Sequence, residues 1–324
     1  MANAAFSPTN SVTTTSAANF IPEIWSDEIV ASYKKNLVLA NLVKKMSFKG
    51  KKGDTVNIPS PARGNASAKA ATDAVTLIAE SDTMIQVLIN QHYEYSRLIE
   101  DIVEVQALTS LRSFYTEDAG YALARRIDTS LVQLGRAFNG ATVGTDDYAT
   151  SASSTKAYVG SDGTTAYNSS TSNAAALTDA AIRRTIQRLD DNDVPMDGRF
   201  FLIPPSSRNT LMGLARYTEQ AFIGNGDAIR NGEIGQLYGM AVFASSNADT
   251  GAGNGGADRI CLMGHKDSMV LVEQLGIRSQ TQYKQEYLGT LFTADTLYGV
   301  KALRTAASSS AANASGAYAL AVPA

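Results

Sequence analysis

The sequence predicts an α+β fold, on three observations. Apolar residues step by three and four from about Glu104 to Phe138, which makes one long helical stripe. Strand-like and helix-like stretches alternate between residues 178 and 264, as in a mixed α/β unit. The chain then returns, from Ser268 to Thr305, as strand-like stretches with polar faces.

The elements follow in order. Residues 1–20 are mostly Ala, Ser, Thr and Asn, a composition too poor in apolar side chains to order itself. "IPEIWSDEIVASYKKNLVLANLVKKM" (21–46) reads as a helix: Pro22 suits a first turn, Glu23, Asp27 and Glu28 precede Lys34 and Lys35 as the macrodipole favours, and Trp25, Ile29 and Tyr33 share a face. "FKGKKGDTVNIPSPARGNASAKAATDAVTL" (48–77) is a long loop with a basic glycine hinge and almost nothing to build a core. In "TMIQVLINQHYEYSRLIED" (83–101), Ile85, Val87 and Ile89 alternate with polar residues as in a half-buried strand, and the late strands are expected to pair with it.

The stripe Leu108, Leu111, Tyr115, Ala119, Leu123, Ile127, Leu131, Leu134, Phe138 ends at Asn139-Gly140. At 1.5 Å per residue this rod would be roughly 50 Å long. Residues 139–176, rich in Gly, Ser, Thr and Asp with isolated tyrosines, read as a surface insertion. Thr178 caps a helix that turns Ile182, Ile186 and Leu189 inward. "RFFLI" is a buried strand, "PPSSRNTLMGLA" a helix, and "GQLYGMAVFASSN" and "DRICLMG" two further strands. "AASSSAANASGAYALAVPA" (306–324) reads as a low-complexity tail with an apolar end.

Composition narrows the function. A net charge of −3 argues against a dedicated nucleic-acid binder, which needs Lys and Arg gathered on one face, despite local basic clusters at 44–52 and 183–188. A charged fraction of 18% suits a protein that hides surface against partners. No run of about 18 apolar residues could span a bilayer, and the first residues lack a signal-peptide pattern, so the chain reads as intracellular. The single cysteine, Cys261, reads as a buried small hydrophobe.

Chemistry-bearing motifs are weak. His92 and His265 stand apart with no metal-ligand spacing, and Cys261 need not meet His265. "GAGNGGAD" lacks the Gly-Lys-Ser/Thr ending of a phosphate loop. Glu94, Glu100, Asp101 and Glu104 are expected near a helix start from its dipole alone. The sequons at Asn65, Asn168 and Asn313 carry no meaning without secretion. No catalytic residue, cofactor or metal is assigned.

The order of parts carries more. "IPEIWSDEIVASYKKNLVLANLV" followed by "KGDTVNIPSP", then "FFLIPPSSRNTLM", "GQLYGMAVFASSN" and "TADTLYGVKALRT" resembles the major capsid protein of a tailed bacteriophage with the HK97-type fold, in the manner of short-tailed and cyanobacterial phage coat proteins. The resemblance covers most of the chain. It implies an N-terminal arm and helix (1–46), an extended E-loop hairpin (47–83), a peripheral domain with a long spine helix (84–138 and 270–305), an axial domain (139–269) and a C-terminal tail (306–324). It further implies self-assembly into hexamers and pentamers of an icosahedral head around packaged double-stranded DNA, without sequence-specific binding. Implied partners are other copies of the chain, a portal protein, a decoration protein and a separate scaffolding protein, because only about twenty uncharged residues precede the first helix, too few for an internal scaffold. Virion localisation, with assembly in the host cytoplasm, follows.

On this view the loop cannot satisfy itself because its partner is the adjacent subunit, reached by strand addition and polar contacts. The inter-subunit contact candidates are Trp25, Lys49, Lys51, Lys52, Asp54, Arg63, Lys69, Arg183, Arg184 and Arg188. Two rival readings remain: an encapsulin-like compartment shell, told apart by its protein cargo, and an α/β enzyme built on 178–264, which lacks a convergent nucleophile, base or metal set.

Overall fold

Two sheets meet at one continuous stretch of chain, where strand β9 (Asp258–His265) runs through a 3-10 turn, Lys266–Ser268, into β10 (Met269–Lys284). The computed structural model describes residues 38–60, 66–69, 71, 74, 75, 77, 83–101, 110–136, 157–168, 171–214, 235–247, 258–303 and 316–324. β10 pairs antiparallel with β11 (Gly289–Ala302), which pairs with β4 (Gln91–Glu100); β1 (Lys44–Ser47) runs parallel to β10 on the other side. The second sheet has the order β5 (Tyr158–Val159), β12 (Ala317–Pro323), β9, β6 (Arg199–Ile203), β8 (Met240–Ala244), β7 (Gln236–Leu237). A separate ribbon pairs β2 (Thr55–Ser60) with β3 (Thr83–Leu88).

The rod is present as α2, Ser110–Arg136. Its 27 residues span about 40 Å. Ala119, Leu123, Ile127, Leu131 and Leu134 of the stripe are buried, whereas Leu108 and Phe138 lie outside the described residues. Leu131 and Leu134 share a core with Phe200 and Leu202 of the second sheet and Leu271, Tyr298 and Val300 of the first, so one helix joins both sheets. The Ser130 hydroxyl meets that of Tyr298 at 2.9 Å inside this core, and burial pushes the Tyr298 phenol up to about 12.

A second core lies beneath α3 (Asp179–Asp191), where Ile182 and Leu189 pack on Phe201, Ile203, Met263 and Leu320. Thr178 caps α3 as its sequence suggests, accepting from the Ala181 N–H at 3.3 Å. The helix read over "PPSSRNTLMGLA" is α4, Pro205–Met212, with proline in its first turn.

The structure departs from the sequence reading at five places. The first helix ends with α1, Leu39–Leu42; Val43 turns extended and Lys44–Ser47 become β1, because pairing with Val270–Glu273 of β10 outweighs a weak local helix preference. Residues 21–37 of that expected helix lie outside the described residues. The strand read through 83–101 is two strands with different partners, parted at Ile89 and Asn90: β3 serves the ribbon and β4 serves β11. "GQLYGMAVF" is a hairpin, turned by Tyr238 and Gly239 at φ 49 and 79, the left-handed values that a two-residue turn requires.

The expected insertion is, from Ala157 onward, part of the second sheet's edge. Its isolated tyrosines are anchors: Tyr167 is buried and donates to Asp258 at 2.6 Å. Most of all, the supposed tail supplies β12, which is buried in the second sheet between β5 and β9. Alternating alanines made it look low in complexity.

Candidate assembly surface

The β2–β3 ribbon is rooted in its own chain. Phe48 N–H donates to Glu273 O at 2.8 Å, Ile89 N–H to Asp54 O at 2.8 Å, and the Gln274 amide to Lys51 O and Gly53 O at 2.9 Å each. Val56, Val87 and Ile89 pack on Val270 and Val272. β11 passes so close that a Cβ on Gly299 would sit 2.3 Å from the Leu88 carbonyl oxygen. Away from this root the apolar residues face outward: Met84 is 63%, Val75 76% and Leu77 92% exposed. Leaving such side chains in water forfeits about 1.5–3 kcal/mol each relative to burial.

A second projection is formed by the outer halves of β10 and β11. Residues Arg278–Tyr283 are exposed, and Tyr283, Tyr287 and Leu288 stand out near the turn. Leu288 adopts a left-handed φ of 43, an uncommon strain for a branched side chain. Arg278 grips Asp295 with two hydrogen bonds, 2.7 and 2.9 Å, and His92 lies 3.2 Å from the same carboxylate. The Arg278 bonds hold the Asp295 carboxyl below the usual carboxylate range. Tyr283 donates to Asp101 at 2.7 Å, which raises its phenol. Sequence reading missed this projection; the cue was "YKQEYLG", whose tyrosines and leucine sit in a turn.

The candidate contact residues fall into separate groups. Lys49, Lys51, Lys52 and Asp54 cluster at the ribbon's root and are exposed; the Lys51 ammonium sits 4.9 Å from the Phe48 ring, and Asp54 accepts from the Thr55 hydroxyl at 2.9 Å. Lys69 is exposed farther along the loop, and Trp25 and Arg63 lie outside the described residues. On α3, Arg183 is exposed and bonded to Asp179 at 2.8 Å, and Arg184 is exposed and bonded to Gln187 at 2.8 Å. Arg188 leaves this face. It is half-buried, its guanidinium 3.6 Å from the Tyr158 ring and 5.9 Å from that of Tyr318, so it packs the interior of its own chain.

The groups that could do chemistry are spent on structure. Cys261 is buried beside the Ser207 hydroxyl at 3.3 Å, and burial pushes its thiol up to about 12. His265 is buried; Nε2 bonds the Asp197 carbonyl at 2.8 Å, and Nδ1 accepts from the Asp267 N–H at 3.2 Å, away from Cys261. Among the described residues no three His, Cys, Asp or Glu side chains gather to hold a metal, and no helix is long and apolar enough to cross a membrane.

A family model described as phage capsid protein matches residues 27–303. The chain belongs to that family. Its architecture, two sheets joined by a spine helix with a projecting ribbon, is the HK97-type fold seen in solved phage capsids. A chain from Mycobacterium phage Che8 is 24% identical with a TM-score of 0.70, over 93% of this capsid protein and 97% of that chain. The capsid structure of the cyanophage P-SCSP1u is 18% identical with a TM-score of 0.71, over 99% of both chains. The capsid of Ralstonia phage GP4 is 15% identical with a TM-score of 0.64, over 94% of this capsid protein and 95% of that chain. No curated protein matches.

Proposed function

We propose that this capsid protein acts as the major head protein, its copies associating into hexamers and pentamers that tile an icosahedral shell around double-stranded DNA. The observation that carries the reading is the ribbon: a root clamped to its own sheet by three hydrogen bonds, with outer apolar residues, Val75, Leu77 and Met84, left in water. A neighbouring copy is the surface that covers them. Many modest contacts of this kind hold a shell while each stays reversible during assembly. Lys49, Lys51, Lys52, Asp54, Lys69, Arg183 and Arg184 serve as polar contacts around such interfaces, with Trp25 and Arg63 in the same role.

Residues 84–138 and 270–305 form the peripheral part and residues 139–269 the axial part, to which the pairing of β12 with β9 argues for adding 317–323. A net charge of −3 suits a wall that does not trap DNA through counterion release. A separate scaffolding protein, a portal and a decoration protein complete the head, which is assembled in the host cytoplasm and persists in the virion. The role is structural and not enzymatic. A phage capsid family match disfavours the encapsulin-like reading.

The test removes residues 61–82 and joins Ser60 to Thr83 through a short glycine turn, keeping the paired root. The expected product is a folded, soluble subunit that forms no normal shells under electron microscopy. Shells that close with wild-type stability would overturn the proposal.

A further inference from the structure

Two features of the chain are complementary and do not meet within it. Val75 and Leu77, on the connection between β2 and β3, are 76% and 92% exposed. Being two residues apart, they share a face wherever that segment is extended. The stretch around them, residues 73–82, carries Asp73, Glu80 and Asp82 and no Lys or Arg. It is an apolar pair framed by negative charge.

The second feature is a groove of about 410 Å³ between the α1–β1 junction and the second sheet. Its floor is Leu42 and Val43 from that junction, Phe200 of β6, and Ala241 and Phe243 of β8. Lys44 and Lys266 stand exposed at the rim, where Asp267 is the one acid lining the groove. Arg199 also reaches it but is spent on Asp190 at 2.7 Å and on the Pro195 carbonyl at 3.0 Å. Beside the groove, β1 is the last strand of its sheet: it pairs with β10 on one side, and among the described residues no strand pairs with its other edge. Lys44, Lys45 and Ser47 of that strand are exposed. Such an edge takes up an extended segment by continuing the ladder.

We propose that the groove and the β1 edge form the seat for residues 73–82 of a neighbouring copy, with Val75 and Leu77 on the apolar floor and the three carboxylates against Lys44, Lys45 and Lys266. The inference rests on the shell reading and names the surface that covers the ribbon's far end. The chain's own segment does not fill the seat, since it leaves both apolar side chains in water. A projecting element and a recess for it at different places on one chain make a head-to-tail contact, which closes into a ring when the rotation between copies allows. Charge also selects which half of the connection is received: residues 61–72 carry Arg63 and Lys69 and no acid, and a lysine rim repels them.

The test mixes tagged subunits carrying Leu77→Cys with untagged subunits carrying Asn41→Cys, at the groove, and treats the assembled particles with a short bismaleimide. The native Cys261 is buried and does not compete. The expected product on a denaturing gel is a dimer of one tagged and one untagged subunit, absent when either variant is assembled alone. Particles that form and yield no mixed dimer overturn the proposal and leave the shell reading standing. Where no particles form, the shell reading fails, and the seat is measured on the free subunit with a fluorescent peptide of residues 72–83. Saturable binding, about tenfold weaker to a subunit carrying Lys44→Glu and Lys266→Glu and lost when the peptide carries Leu77→Asp, supports the seat. No saturable binding, or binding indifferent to those changes, overturns it. A Trp25→Cys/Asn41→Cys subunit that bridges internally and refuses the peptide would give the seat to the chain's own N-terminal segment, and overturn the proposal as well.

Discussion

The connection between β2 and β3 and the strand β12 are built from similar material, small residues interrupted by a few apolar ones, and those apolar residues end in opposite places. β12 puts Tyr318, Leu320 and Val322 into a core at 5% exposure or less; the ribbon leaves Leu77 92% exposed. What separates them is the number of partner strands. β12 has one on each side, β5 and β9, and a helix above; the ribbon strands have only each other. A two-stranded ribbon is marginal in water without a further surface to pack on. The comparison teaches that within this chain the second sheet is finished and the ribbon is half of something.

The largest effect should come from disturbing the finished half. Leu320→Asp would bury a carboxylate in the apolar core beneath α3, a penalty of more than about 4 kcal/mol against a total stability of about 5–15 kcal/mol. The expected outcome is loss of soluble, cooperatively melting protein. A cooperative melt near the wild-type temperature would show that β12 is dispensable to the second sheet.

How much of this contrast was legible in the sequence depends on whether each signal is local. The spine helix shows in the stripe Ala119, Leu123, Ile127, Leu131, because a helix presents its buried face through its own periodicity. The cap at Thr178 and the buried "RFFLI" show for the same reason. β12 did not, since every second residue from Ala317 to Ala321 is alanine and its burial is set by distant partners, Tyr167 and Ile260. β1 was hidden too: Lys44 and Lys45 continue a helical pattern, and only β10 decides otherwise. On the surface, Arg183 and Arg184 are exposed, whereas Arg188 looked identical in sequence and is held between two tyrosines from residues 158 and 318. A partner that far along the chain leaves no local trace.

An intermediate effect is expected where the first sheet extends beyond its core. Asp295 carries a lowered pKa because Arg278 bonds it, so its contribution to stability is present above the unfolded carboxylate value of about 4 and is lost as pH falls through the lower folded value. Asp295→Asn removes the charge at every pH. The melting temperature of wild type should exceed that of the variant at neutral pH, and the difference should shrink toward zero as the pH is lowered below about 4. A difference that stays constant across this range would mean the pair holds the sheet by shape and not by charge.

The smallest effect on the subunit should come from the ribbon, and it is the most telling. Leu77→Asp alters a side chain with almost no contact to its own chain, so the melting temperature of the isolated subunit should shift by less than about 0.5 kcal/mol equivalent. Shell formation should nevertheless fail, because a carboxylate would then be pressed into an apolar contact with the next copy, where no compensating charge is supplied. Measured side by side, thermal melting and sedimentation separate the two outcomes. A variant that melts early places Leu77 in the subunit's own core. One that melts normally and still assembles places it outside every interface, and either result would remove the ribbon from the account of how copies hold together.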